Sequence, residues 1–341
     1  MQIFFVTGGA GFIGSAFVKL LLDEFPDTKV VNYDALTYAG NLDNLAGFDE
    51  TRHHFVHGDI TDRSGVLDVL PVSCDAIVNF AAESHVDRSI AEAGQFLRTN
   101  VIGTQVLLDV ARERQVRRFV HISTDEVMGS LREDHSGYFT EDSPFAPNSP
   151  YAASKAAAEH LVRAAHHTFG LDTVVTRCGN NYGPRQFPEK FLPLVIANAL
   201  NDQPIPLYGD GMNVRDWIYV EDHCRAILFA VKNGNSGGVY NIGARNERRN
   251  IDVVKSVLDM LGKPHSLIQF VKDRPGHDRR YAIDPTLIES QLGWQPLESW
   301  ESGLQKTIQW YRDNNQWLAR ARSGAYRDYY RTQYGTEVGA I

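Results

Sequence analysis

The stretch Ile3-Phe4-Phe5-Val6-Thr7-Gly8-Gly9-Ala10-Gly11-Phe12-Ile13-Gly14 joins a short apolar run to glycines that recur every three residues. A pattern with apolar residues on one helical face follows over residues 15–25. Glycines at Gly8, Gly11 and Gly14 would let the backbone approach a pyrophosphate, which would then lie at the helix N-terminus. A strand, a glycine-rich turn and a helix in this order predict a dinucleotide-binding unit, whereas the glycines alone would also fit a tight turn.

Two acidic residues mark the ends of the next predicted strands. Asp34 follows the run Lys29-Val30-Val31-Asn32-Tyr33 and lies twenty residues after Gly14, and a third strand over residues 54–60 is expected to end in Asp59. An aspartate at position 34 would accept hydrogen bonds from an adenosine ribose diol and repel a 2′-phosphate. The sequence therefore predicts NAD rather than NADP, with Asp59 at the adenine amino group. A solvated aspartate after a strand is the alternative.

Runs typical of strands alternate with helical patterns over the first 184 residues. This alternation predicts an α/β fold with a doubly wound parallel sheet of the Rossmann type. After residue 184 the order of elements loosens, which indicates a smaller C-terminal α/β lobe. We expect an NAD-binding domain that carries the catalytic residues over 1–184, and a mainly substrate-binding lobe over 185–322, with the chain crossing between lobes. A loosely held tail is expected over 323–341.

The composition argues against several kinds of partner. The 341 residues carry a net charge of −8, so no nucleic-acid partner is expected, although a local basic pocket could still hold an anionic ligand. No apolar run reaches the ~18 residues that span a membrane, and no basic segment precedes the first strand as in a signal peptide. The cysteines, Cys74, Cys178 and Cys224, form no CxxC pair. We therefore expect a cytoplasmic protein without disulfides or a membrane partner.

Three histidines, His53, His54 and His57, lie close together near the third predicted strand. Alternation along a strand sends their side chains to opposite faces of the sheet, and no carboxylate spacing completes a metal site. We therefore expect no bound metal.

Two further motifs carry reactive side chains. The run Arg118-Phe119-Val120-His121-Ile122 predicts a buried strand, and Ser123-Thr124-Asp125-Glu126 follows at its end. Polar groups at that point would face the crevice in which open α/β sheets bind ligands. Tyr151 and Lys155 are four residues apart, so their side chains share a face if the segment is helical.

These side chains together suit a reaction with two steps. Lowering the pKa of Tyr151 from ~10 to near 7 takes about 4 kcal/mol, and Lys155 plus a cationic nicotinamide ring could supply much of it. The tyrosine could then take a proton from a sugar hydroxyl while a hydride leaves the same carbon. Asp125 and Glu126 add an acid and a base for a second step. The motifs predict redox chemistry coupled to elimination, although each alone also occurs by chance or at a helix start.

The loop Arg274-Pro275-Gly276-His277-Asp278-Arg279-Arg280-Tyr281 is basic in an acidic protein. Arginine forms bidentate contacts with phosphate groups, so Arg215, Arg274 and Arg279 are candidates for holding a diphosphate. Ordinary surface charge is the alternative interpretation of these arginines.

A set of motifs spread over residues 2–318 carries a family resemblance. The motifs are 7–14, Asp34, 81–87, 124–126, Tyr151, Lys155 and 274–278. Together they resemble the nucleoside-diphosphate-glucose 4,6-dehydratases of the extended short-chain dehydrogenase/reductase superfamily. The specific part is the Asp125-Glu126 pair beside Tyr-x-x-x-Lys, because related sugar-nucleotide epimerases usually lack that acid pair.

The resemblance implies dehydration of a nucleotide sugar such as dTDP-glucose on tightly held NAD. Tyr151 deprotonates the C4 hydroxyl as hydride passes from C4 to NAD, while Thr124 binds that oxygen and Lys155 orients Tyr151 and the nicotinamide ribose. Glu126 then removes the C5 proton as Asp125 protonates the departing C6 hydroxyl. Hydride then returns to C6 and C5 is reprotonated, which gives a 4-keto-6-deoxy sugar nucleotide.

The resemblance also implies binding residues and an assembly. The positions that meet NAD are Phe12, Ile13, Asp34, Leu36, Thr37, Asp59, Ile60, Ala81, Ala82, Thr99 and Asn181, with Tyr151 and Lys155 at the nicotinamide end. The positions that meet the substrate, besides Thr124, are Ser84, Asn180, Glu189, Lys190, Pro206, Tyr208, Arg215, Asn250, Arg274, His277 and Tyr281. A homodimer through the helices predicted over 93–115 and 151–168 is expected.

Two positions depart from the family pattern. Met128 stands where the family usually has a tyrosine, and Gly179 stands where a serine or cysteine is more usual. Because the catalytic tyrosine is Tyr151, we expect the chemistry to survive and Met128 to pack behind the acid pair.

Other functions remain open at this point. A UDP-glucose 4,6-dehydratase is the main alternative, since the motifs do not separate thymidine from uridine nucleotides. An epimerase or a decarboxylase is a more distant alternative that the acid pair disfavours. An NAD-binding sensor or scaffold without catalysis would be expected to have lost Tyr151, Lys155 or Glu126, and all three are present.

Overall fold

The computed structural model describes residues 2–132 and 137–323. The strands are β1 (Ile3–Thr7), β2 (Lys29–Asp34), β3 (His53–His57), β4 (Ala76–Asn79), β5 (Arg118–Thr124), β6 (Thr173–Cys178), β7 (Asn180–Tyr182), β8 (Ile205–Tyr208), β9 (Val214–Tyr219), β10 (Gly238–Ile242), β11 (Glu247–Arg249) and β12 (Ile268–Val271). The helices are α1 (Phe12–Glu24), α2 (Arg63–Val69), α3 (Val86–Ala91), α4 (Ala93–Phe96), α5 (Thr104–Glu113), α6 (Pro150–Phe169), α7 (Phe191–Leu200), α8 (Val220–Asn233), α9 (Asn250–Leu261), α10 (Thr286–Leu292), α11 (Trp300–Asp313) and α12 (Asn315–Ala321).

Seven strands form one sheet in the order β10-β6-β5-β4-β1-β2-β3, and every neighbouring pair is parallel. The strand order reverses at β1, which lies between β2 and β4. In sheets of this kind, ligands bind beyond the carboxyl ends of the strands at the reversal. The predicted doubly wound parallel sheet is therefore confirmed, and it places the glycine-rich turn after β1 at the ligand-binding edge.

Side chains of β1 alternate between two apolar layers. Phe4 and Val6 pack with α1 and α8 on one face, whereas Phe5 packs with residues of α2, α5 and α6 on the other. Because helices cover both faces, the central strands are largely apolar, as expected of a parallel sheet. This explains why the run that opens the chain shows no polar alternation.

The second lobe holds two small sheets, β11-β9-β7 and β12-β8, beside their own apolar cluster. Trp217 and Trp300 lie in that cluster with ring centroids 5.9 Å apart. The runs 206–211 and 214–217 have sequences typical of short strands with a turn between them, and strands are present there as β8 and β9. They belong to different sheets, so the turn between them joins two sheets and does not form a hairpin.

Two elements beyond residue 184, one strand and one helix, belong to the first lobe. The β10 strand pairs with β6 at one edge, and α8 packs against α1. The chain thus returns to the first lobe after building part of the second. The first lobe is therefore built from residues on both sides of position 184.

Some element boundaries differ from the sequence prediction. The β3 strand ends at His57, so Asp59 lies in the turn that follows the strand. The run 299–318, whose sequence is typical of one helix, is broken at Asn314 into α11 and α12. The residues beyond 323, for which a loosely held tail was predicted, lie outside the described part of the chain.

The helix predicted over 93–115 forms with a π-helical segment, Leu97–Gly103, in its middle. Asn100 in this segment exchanges hydrogen bonds of 2.9 and 3.0 Å with the backbone of Glu83 and donates to Ser154 Oγ at 2.8 Å. Since Ser154 lies on α6, the segment ties that helix to the loop after β4. π-helical turns of this kind frequently occur at functional sites.

Across residues 2–132 and 137–323, the helices include none with both the length and the apolar character needed to cross a membrane.

Candidate active site

A cleft opens along the carboxyl ends of the strands around the reversal at β1. All but one of the predicted cofactor residues line it, namely Gly8, Gly11, Phe12, Ile13, Gly14, Asp34, Thr37, Asp59, Ile60, Ala81, Ala82, Thr99, Tyr151, Lys155 and Asn181. The exception is Leu36, which is not among the lining residues; its backbone N–H donates to Asp34 Oδ1 at 2.8 Å instead. Leu36 therefore orients an aspartate of the cleft through its main chain.

The glycine-rich turn can approach a ligand only because it carries no side chains. Gly8 has a φ of +71°, and a Cβ there would lie 2.6 Å from the Ala81 nitrogen. A Cβ at Gly14 would lie 2.2 Å from the Gly8 carbonyl oxygen. The turn thus leads directly into the first turn of α1, whose backbone N–H groups suit an anion. This shape fits the pyrophosphate of a dinucleotide.

Asp34 is held in place by two backbone donors. The Ala10 and Leu36 N–H groups donate to its two carboxylate oxygens at 2.9 and 2.8 Å. Burial raises the pKa of Asp34, and these two hydrogen bonds act in the opposite direction. A carboxylate oriented in this way at the end of β2 fits the hydroxyls of an adenosine ribose.

The acid pair lies in a 3-10 turn, Asp125–Met128, that begins directly after β5. Thr124 caps this turn, because its Oγ1 accepts from the Glu126 N–H at 3.3 Å, and it also donates to Asp125 Oδ1 at 3.4 Å. On a continued strand, Asp125 and Glu126 would point to opposite faces. The turn instead buries Asp125, which is 2% exposed, and brings Glu126 to the wall of the cleft.

The two carboxyls have different electrostatic surroundings. Burial, followed by the charge of Glu126, raises the pKa of Asp125 well above its ordinary value. Burial also raises the pKa of Glu126, but the neighbouring cations Arg274, Arg215 and Lys190 lower it. The geometry therefore favours a protonated Asp125 beside a more readily ionised Glu126.

The helix α6 presents Tyr151 in its first turn. Ser149 caps the helix by accepting from the Ala152 N–H at 3.1 Å, and Pro150 occupies the first helical position. Lys155 lies one turn later, with Nζ donating to the Ile122 carbonyl at 2.6 Å. Both side chains line the cleft, so the four-residue spacing predicted from the sequence places them together.

The predicted lowering of the tyrosine pKa is not produced by the protein alone. Burial, followed by the charge of Glu126, raises the pKa of Tyr151 well above 10. Burial lowers the pKa of Lys155 to about 8, so its positive charge is itself weakened near neutral pH. The free-energy cost of desolvating the Tyr151 phenolate in this buried position exceeds the stabilisation by Lys155 that the sequence suggested.

The predicted substrate residues divide into two groups. Ser84, Thr124, Asn180 and Lys190 line the cleft described above, with Lys190 Nζ donating to the Ser84 carbonyl at 2.5 Å. The others are not among its lining residues, and they are Glu189, Pro206, Tyr208, Arg215, Asn250, Arg274, His277 and Tyr281.

Asp87 contacts two members of this second group, Tyr208 and Arg274. Tyr208 donates to Asp87 Oδ2 at 3.2 Å, and Arg274 Nη1 lies 3.4 Å from Asp87 Oδ1. His277 pairs with Asp273 at 2.6 Å, and burial followed by the charge of Arg274 lowers its pKa to about 4. Arg274 is thus the cation of this cluster, and besides facing Asp87 it lowers the pKa of Glu126.

Arg215 is buried against an aromatic ring. Its guanidinium lies 4.2 Å from the centroid of the Tyr281 ring, and its Nη2 donates to the Asp278 carbonyl at 2.9 Å. Tyr281 donates to the Asp278 carboxylate at 2.5 Å. Arg279, also considered for a diphosphate, instead forms a two-point ion pair with Asp210 at the surface.

The remaining predicted substrate positions take part in backbone structure or in a buried ion pair. Pro206 lies within β8, and the Asn250 N–H donates to the Asn213 carbonyl at 2.9 Å at the start of α9. Glu189 is buried and paired with Arg88 at 2.8 Å.

Several residues at the site were missed by the sequence analysis. Arg88 pairs with Glu189 and lies 4.3 Å from the Tyr38 ring, which in turn contacts Phe187 with centroids 5.8 Å apart. Cys178 lines the cleft, and His121 lies 3.3 Å from Lys155. Only the position of His121 two residues before Ser123 gave a signal in the sequence, since a histidine inside an otherwise apolar strand needs a partner.

The two departures from the family pattern have structural explanations. Met128 is 3% exposed and packs with Val127 and Tyr281 behind the acid pair, as expected. A Cβ at Gly179 would lie 2.8 Å from the Asp216 carbonyl oxygen, so a side chain there requires the β9 backbone to shift.

Within residues 2–132 and 137–323, no group of three or more histidine, cysteine or acidic side chains is arranged to hold a metal ion.

Comparison with known proteins gives a consistent result. The family model described as GDP-mannose 4,6 dehydratase matches residues 5–307. The dTDP-glucose 4,6-dehydratase of Xanthomonas campestris pv. campestris (strain B100) is 50% identical over 347 residues, which cover 96% of this chain and 98% of the relative. The enzyme of the same name from Neisseria meningitidis serogroup B is 51% identical over 349 residues, with 96% and 98% covered.

Solved structures agree with these matches. The dTDP-glucose 4,6-dehydratase DesIV of Streptomyces venezuelae, solved with NAD bound, superposes with a TM-score of 0.91 at 50% identity, covering 94% of this chain and 100% of that one. The UDP-glucose 4-epimerase of Thermus thermophilus, solved with NAD, superposes with a TM-score of 0.85 at 30% identity, covering 92% and 100%. The chain belongs to the nucleoside-diphosphate-sugar 4,6-dehydratases of the extended short-chain dehydrogenase/reductase superfamily.

Proposed function

We propose that the protein catalyses the NAD-dependent 4,6-dehydration of dTDP-glucose to the 4-keto-6-deoxy sugar nucleotide. The observation that carries this proposal is the Asp125-Glu126 pair. Glu126 lines the same cleft as Tyr151 and Lys155, Asp125 is buried beside it, and the two carboxyls have different electrostatic environments. The names of relatives at 50% and 51% identity support the thymidine nucleotide. A redox site with an adjacent acid and base suits elimination, whereas a simple epimerisation needs no such pair.

The residues of the cleft fit NAD. We propose that Gly8, Gly11 and Gly14 surround the pyrophosphate, that Asp34 binds the adenosine ribose and that Thr99 and Asn181 line the path to the nicotinamide. The chemistry that NAD supplies when bound is removal of a hydride from the sugar and its later return.

The first proton transfer is assigned to Tyr151. Its phenolate takes the proton of the C4 hydroxyl, while Thr124 hydrogen-bonds the same oxygen from the end of β5. Because burial keeps the pKa of Tyr151 high in the protein alone, its ionisation depends on positive charge nearby. The Lys155 ammonium on the same helix face supplies part of that charge.

The elimination is assigned to the acid pair. Glu126 removes the C5 proton as a carboxylate, since Arg274, Arg215 and Lys190 favour its ionised form. Asp125 donates a proton to the departing C6 hydroxyl, since its surroundings keep it protonated. The cations around Glu126 and the burial of Asp125 beside Glu126 thus suit the two carboxyls to different roles.

The substrate is proposed to lie across both lobes. Ser84, Asn180 and Lys190 hold the sugar at the cleft, and Arg215 and Arg274 hold the diphosphate from the second lobe. The remaining positions of this proposal are Glu189, Pro206, Tyr208, Asn250, His277 and Tyr281. In this proposal residues 1–184 bind NAD, and residues 185–322 bind most of the substrate.

The test is incubation of the purified protein with dTDP-glucose and UDP-glucose in separate reactions, with the 4-keto-6-deoxy product measured by mass spectrometry. We expect product with dTDP-glucose and much less with UDP-glucose. Tyr151→Phe is the matched control, because it removes one oxygen and should lose C4 oxidation near neutral pH. Product from UDP-glucose alone would favour the alternative dehydratase, and a C4 epimer without loss of water would favour an epimerase.

We further propose a homodimer through the helices around residues 93–115 and 151–168. The support is a surface with apolar side chains that are half exposed, namely Leu97 at 53%, Ile102 at 56% and Phe169 at 54%. Light scattering should give twice the mass of one chain. A cytoplasmic location is also proposed, supported by three buried cysteines without disulfides.

A further inference from the structure

A chain of buried hydrogen bonds runs beneath Lys155. Thr7 Oγ1 donates to Asn79 Oδ1 at 2.7 Å, Asn79 Nδ2 lies 3.3 Å from His121 Nδ1, and His121 Nε2 lies 3.3 Å from Lys155 Nζ. These four side chains are between 0% and 3% exposed, so their polar atoms must be satisfied within the protein. The direction of each hydrogen bond is therefore determined by its neighbours.

The Asn79 amide has one orientation that satisfies its surroundings. Thr7 Oγ1 accepts from the Ala81 N–H at 3.4 Å, so its own proton can be donated to Asn79 Oδ1. The Thr104 hydroxyl donates to a carbonyl of its own helix at 2.7 Å and therefore accepts from Asn79 Nδ2 at 3.4 Å. If the amide were reversed, the Thr7 proton would face an N–H group. Asn79 Nδ2 consequently donates to His121 Nδ1.

This direction determines the tautomer of His121. A neutral imidazole that accepts at Nδ1 carries its proton at Nε2, which here points at Lys155 Nζ. The ring is neutral, because burial and then the charge of Lys155 lower the pKa of His121 well below 6.5. An N–H group cannot bond to an ammonium, but it can bond to the lone pair of an amine.

We propose that His121 is a positioning residue that donates from Nε2 to the amine of Lys155 and thereby opposes positive charge on that lysine. The inference rests on the proposed function, in which the Lys155 ammonium assists Tyr151. It adds a residue of β5 that touches neither substrate nor cofactor but controls how much of the lysine is charged.

Other groups that face Lys155 act in the opposite direction. Glu159 on α6 and, more weakly, the Cys178 thiol on β6 favour the ammonium, and the Ile122 carbonyl accepts from Nζ at 2.6 Å. Burial outweighs them and lowers the pKa of Lys155 to about 8. With this pKa the lysine is mostly ammonium at pH 7 and is evenly divided between amine and ammonium near pH 8, where one hydrogen bond from His121 changes its charge.

The first test reads the tautomer directly and needs no turnover. In protein labelled with ¹⁵N-histidine, the couplings between ring nitrogens and ring protons show which nitrogen carries the proton. The His121 signal is identified by its absence in His121→Phe. We expect a neutral ring protonated at Nε2 from about pH 6 to about pH 9. A proton at Nδ1, or a charged ring in this range, would overturn the proposal.

The second test is the pH dependence of C4 oxidation, followed as enzyme-bound NADH by stopped-flow absorbance with dTDP-glucose. The rate should fall as pH rises through the Lys155 pKa of about 8, because the ammonium is lost. His121→Phe should move this fall to higher pH by at least about 0.5 pH unit, a threefold change in proton affinity. His121→Gln should keep the wild-type profile, because its amide nitrogen takes the place of Nε2.

His53→Phe is the matched control. It removes another buried histidine from a strand of the same sheet, at the edge formed by β3 and far from Lys155. Its pH profile should match the wild type. A uniform loss of rate in His121→Phe, with the fall at an unchanged pH, would mean a merely structural role and would overturn the proposal. If wild-type protein oxidises no sugar nucleotide, the proposed function fails, whereas the tautomer measurement still decides this inference.

Discussion

At the residue scale, the chemistry depends on neighbours that give adjacent side chains different properties. Asp125 and Glu126 share a turn, yet the first faces further carboxylates and the second faces three cations. Two carboxyls that differ in this way can act as an acid and a base at the same pH. The difference can be tested by removing each carboxylate without changing its shape.

Glu126→Gln should oxidise C4 but stop there. The amide keeps the volume of the side chain and cannot remove the C5 proton, so enzyme-bound NADH should accumulate without loss of water. Stopped-flow absorbance measures the NADH, and mass spectrometry measures deuterium uptake at C5 from deuterated solvent. Deuterium uptake at the wild-type rate would show that another residue is the base.

Asp125→Asn is the companion to that variant. Because the amide cannot protonate the departing C6 hydroxyl, water loss should slow more than C5 exchange does. Equal slowing of the two would mean that Asp125 does not act as a separate acid. A loss of tenfold in either rate corresponds to about 1.4 kcal/mol of transition-state stabilisation.

Asp34 predicts the identity of the cofactor. Its carboxylate is held by two backbone N–H groups at the end of β2, where a 2′-phosphate would meet negative charge. The nucleotide released from the purified protein by denaturation should therefore be NAD. Mass spectrometry distinguishes it from NADP, and recovery of NADP would contradict the role of Asp34.

Met128 is expected to tolerate the tyrosine that the family usually has. It is 3% exposed, and its sulfur accepts a long hydrogen bond of 3.7 Å from Arg177 Nη1. A tyrosine hydroxyl could accept from the same guanidinium, and methionine sites adapt to substitution. Met128→Tyr should keep the turnover rate within about tenfold, or roughly 1.4 kcal/mol. A much larger loss would show that this packing controls the acid pair.

At the element scale, the position of α6 depends on a buried ion pair. Arg177 on β6 contacts Glu159 on α6 through three hydrogen bonds of 2.9 to 3.2 Å, and both side chains are at most 5% exposed. This pair joins the helix that carries Tyr151 and Lys155 to the central sheet. Because Glu159 also favours the charged form of Lys155, the pair connects the stability of the helix to the site.

Arg177→Met should be strongly destabilising. It leaves the Glu159 carboxylate buried without its partner, which typically costs about 3–5 kcal/mol in the free energy of unfolding. Denaturant unfolding followed by circular dichroism measures this change. Arg63→Met is the matched control, because its partner Glu113 and Arg63 itself are about half exposed, and such pairs contribute about 0–1 kcal/mol. Similar losses in the two variants would contradict the role assigned to the buried pair.

At the scale of the whole molecule, the site is completed by two lobes. Glu126 comes from the end of β5 in the large sheet, whereas Arg274 and Arg215 come from the second lobe. Of the cations that lower the pKa of Glu126, Arg274 has the largest effect. The ionised form of the base is therefore favoured by a segment that is remote from it in sequence.

Arg274→Gln should change both binding and pH dependence. Loss of the guanidinium should raise KM for the nucleotide sugar, and it should raise the pKa of Glu126. The carboxylate is then lost at a higher pH as the solution is acidified, so the acidic fall of C5 exchange moves upward. Arg245→Gln is the control, since Arg245 lies about half exposed beside Asp284 and Glu289. An unchanged KM and pH profile in Arg274→Gln would remove Arg274 from the site.

The sequence alone was sufficient for features that depend on local order. The turn 7–14 predicts its own shape because glycine tolerates backbone approach, and Gly8 indeed has a φ of +71° against Ala81. Alternating strand and helix patterns predicted the parallel sheet, and a spacing of four predicted that Tyr151 and Lys155 face the same cleft. These features follow from backbone geometry, which neighbouring residues determine.

The tertiary structure decided what depends on burial and on distant charges. The sequence suggested that Lys155 lowers the pKa of Tyr151, but burial raises it, because an ion loses its hydration inside the protein. The strands at 206–211 and 214–217 were identified, yet their partners were not, since pairing depends on packing across the lobes. The same holds for His121 under Lys155 and for Arg274 beside Glu126: both contacts join residues far apart in the chain, and only the folded protein brings them together.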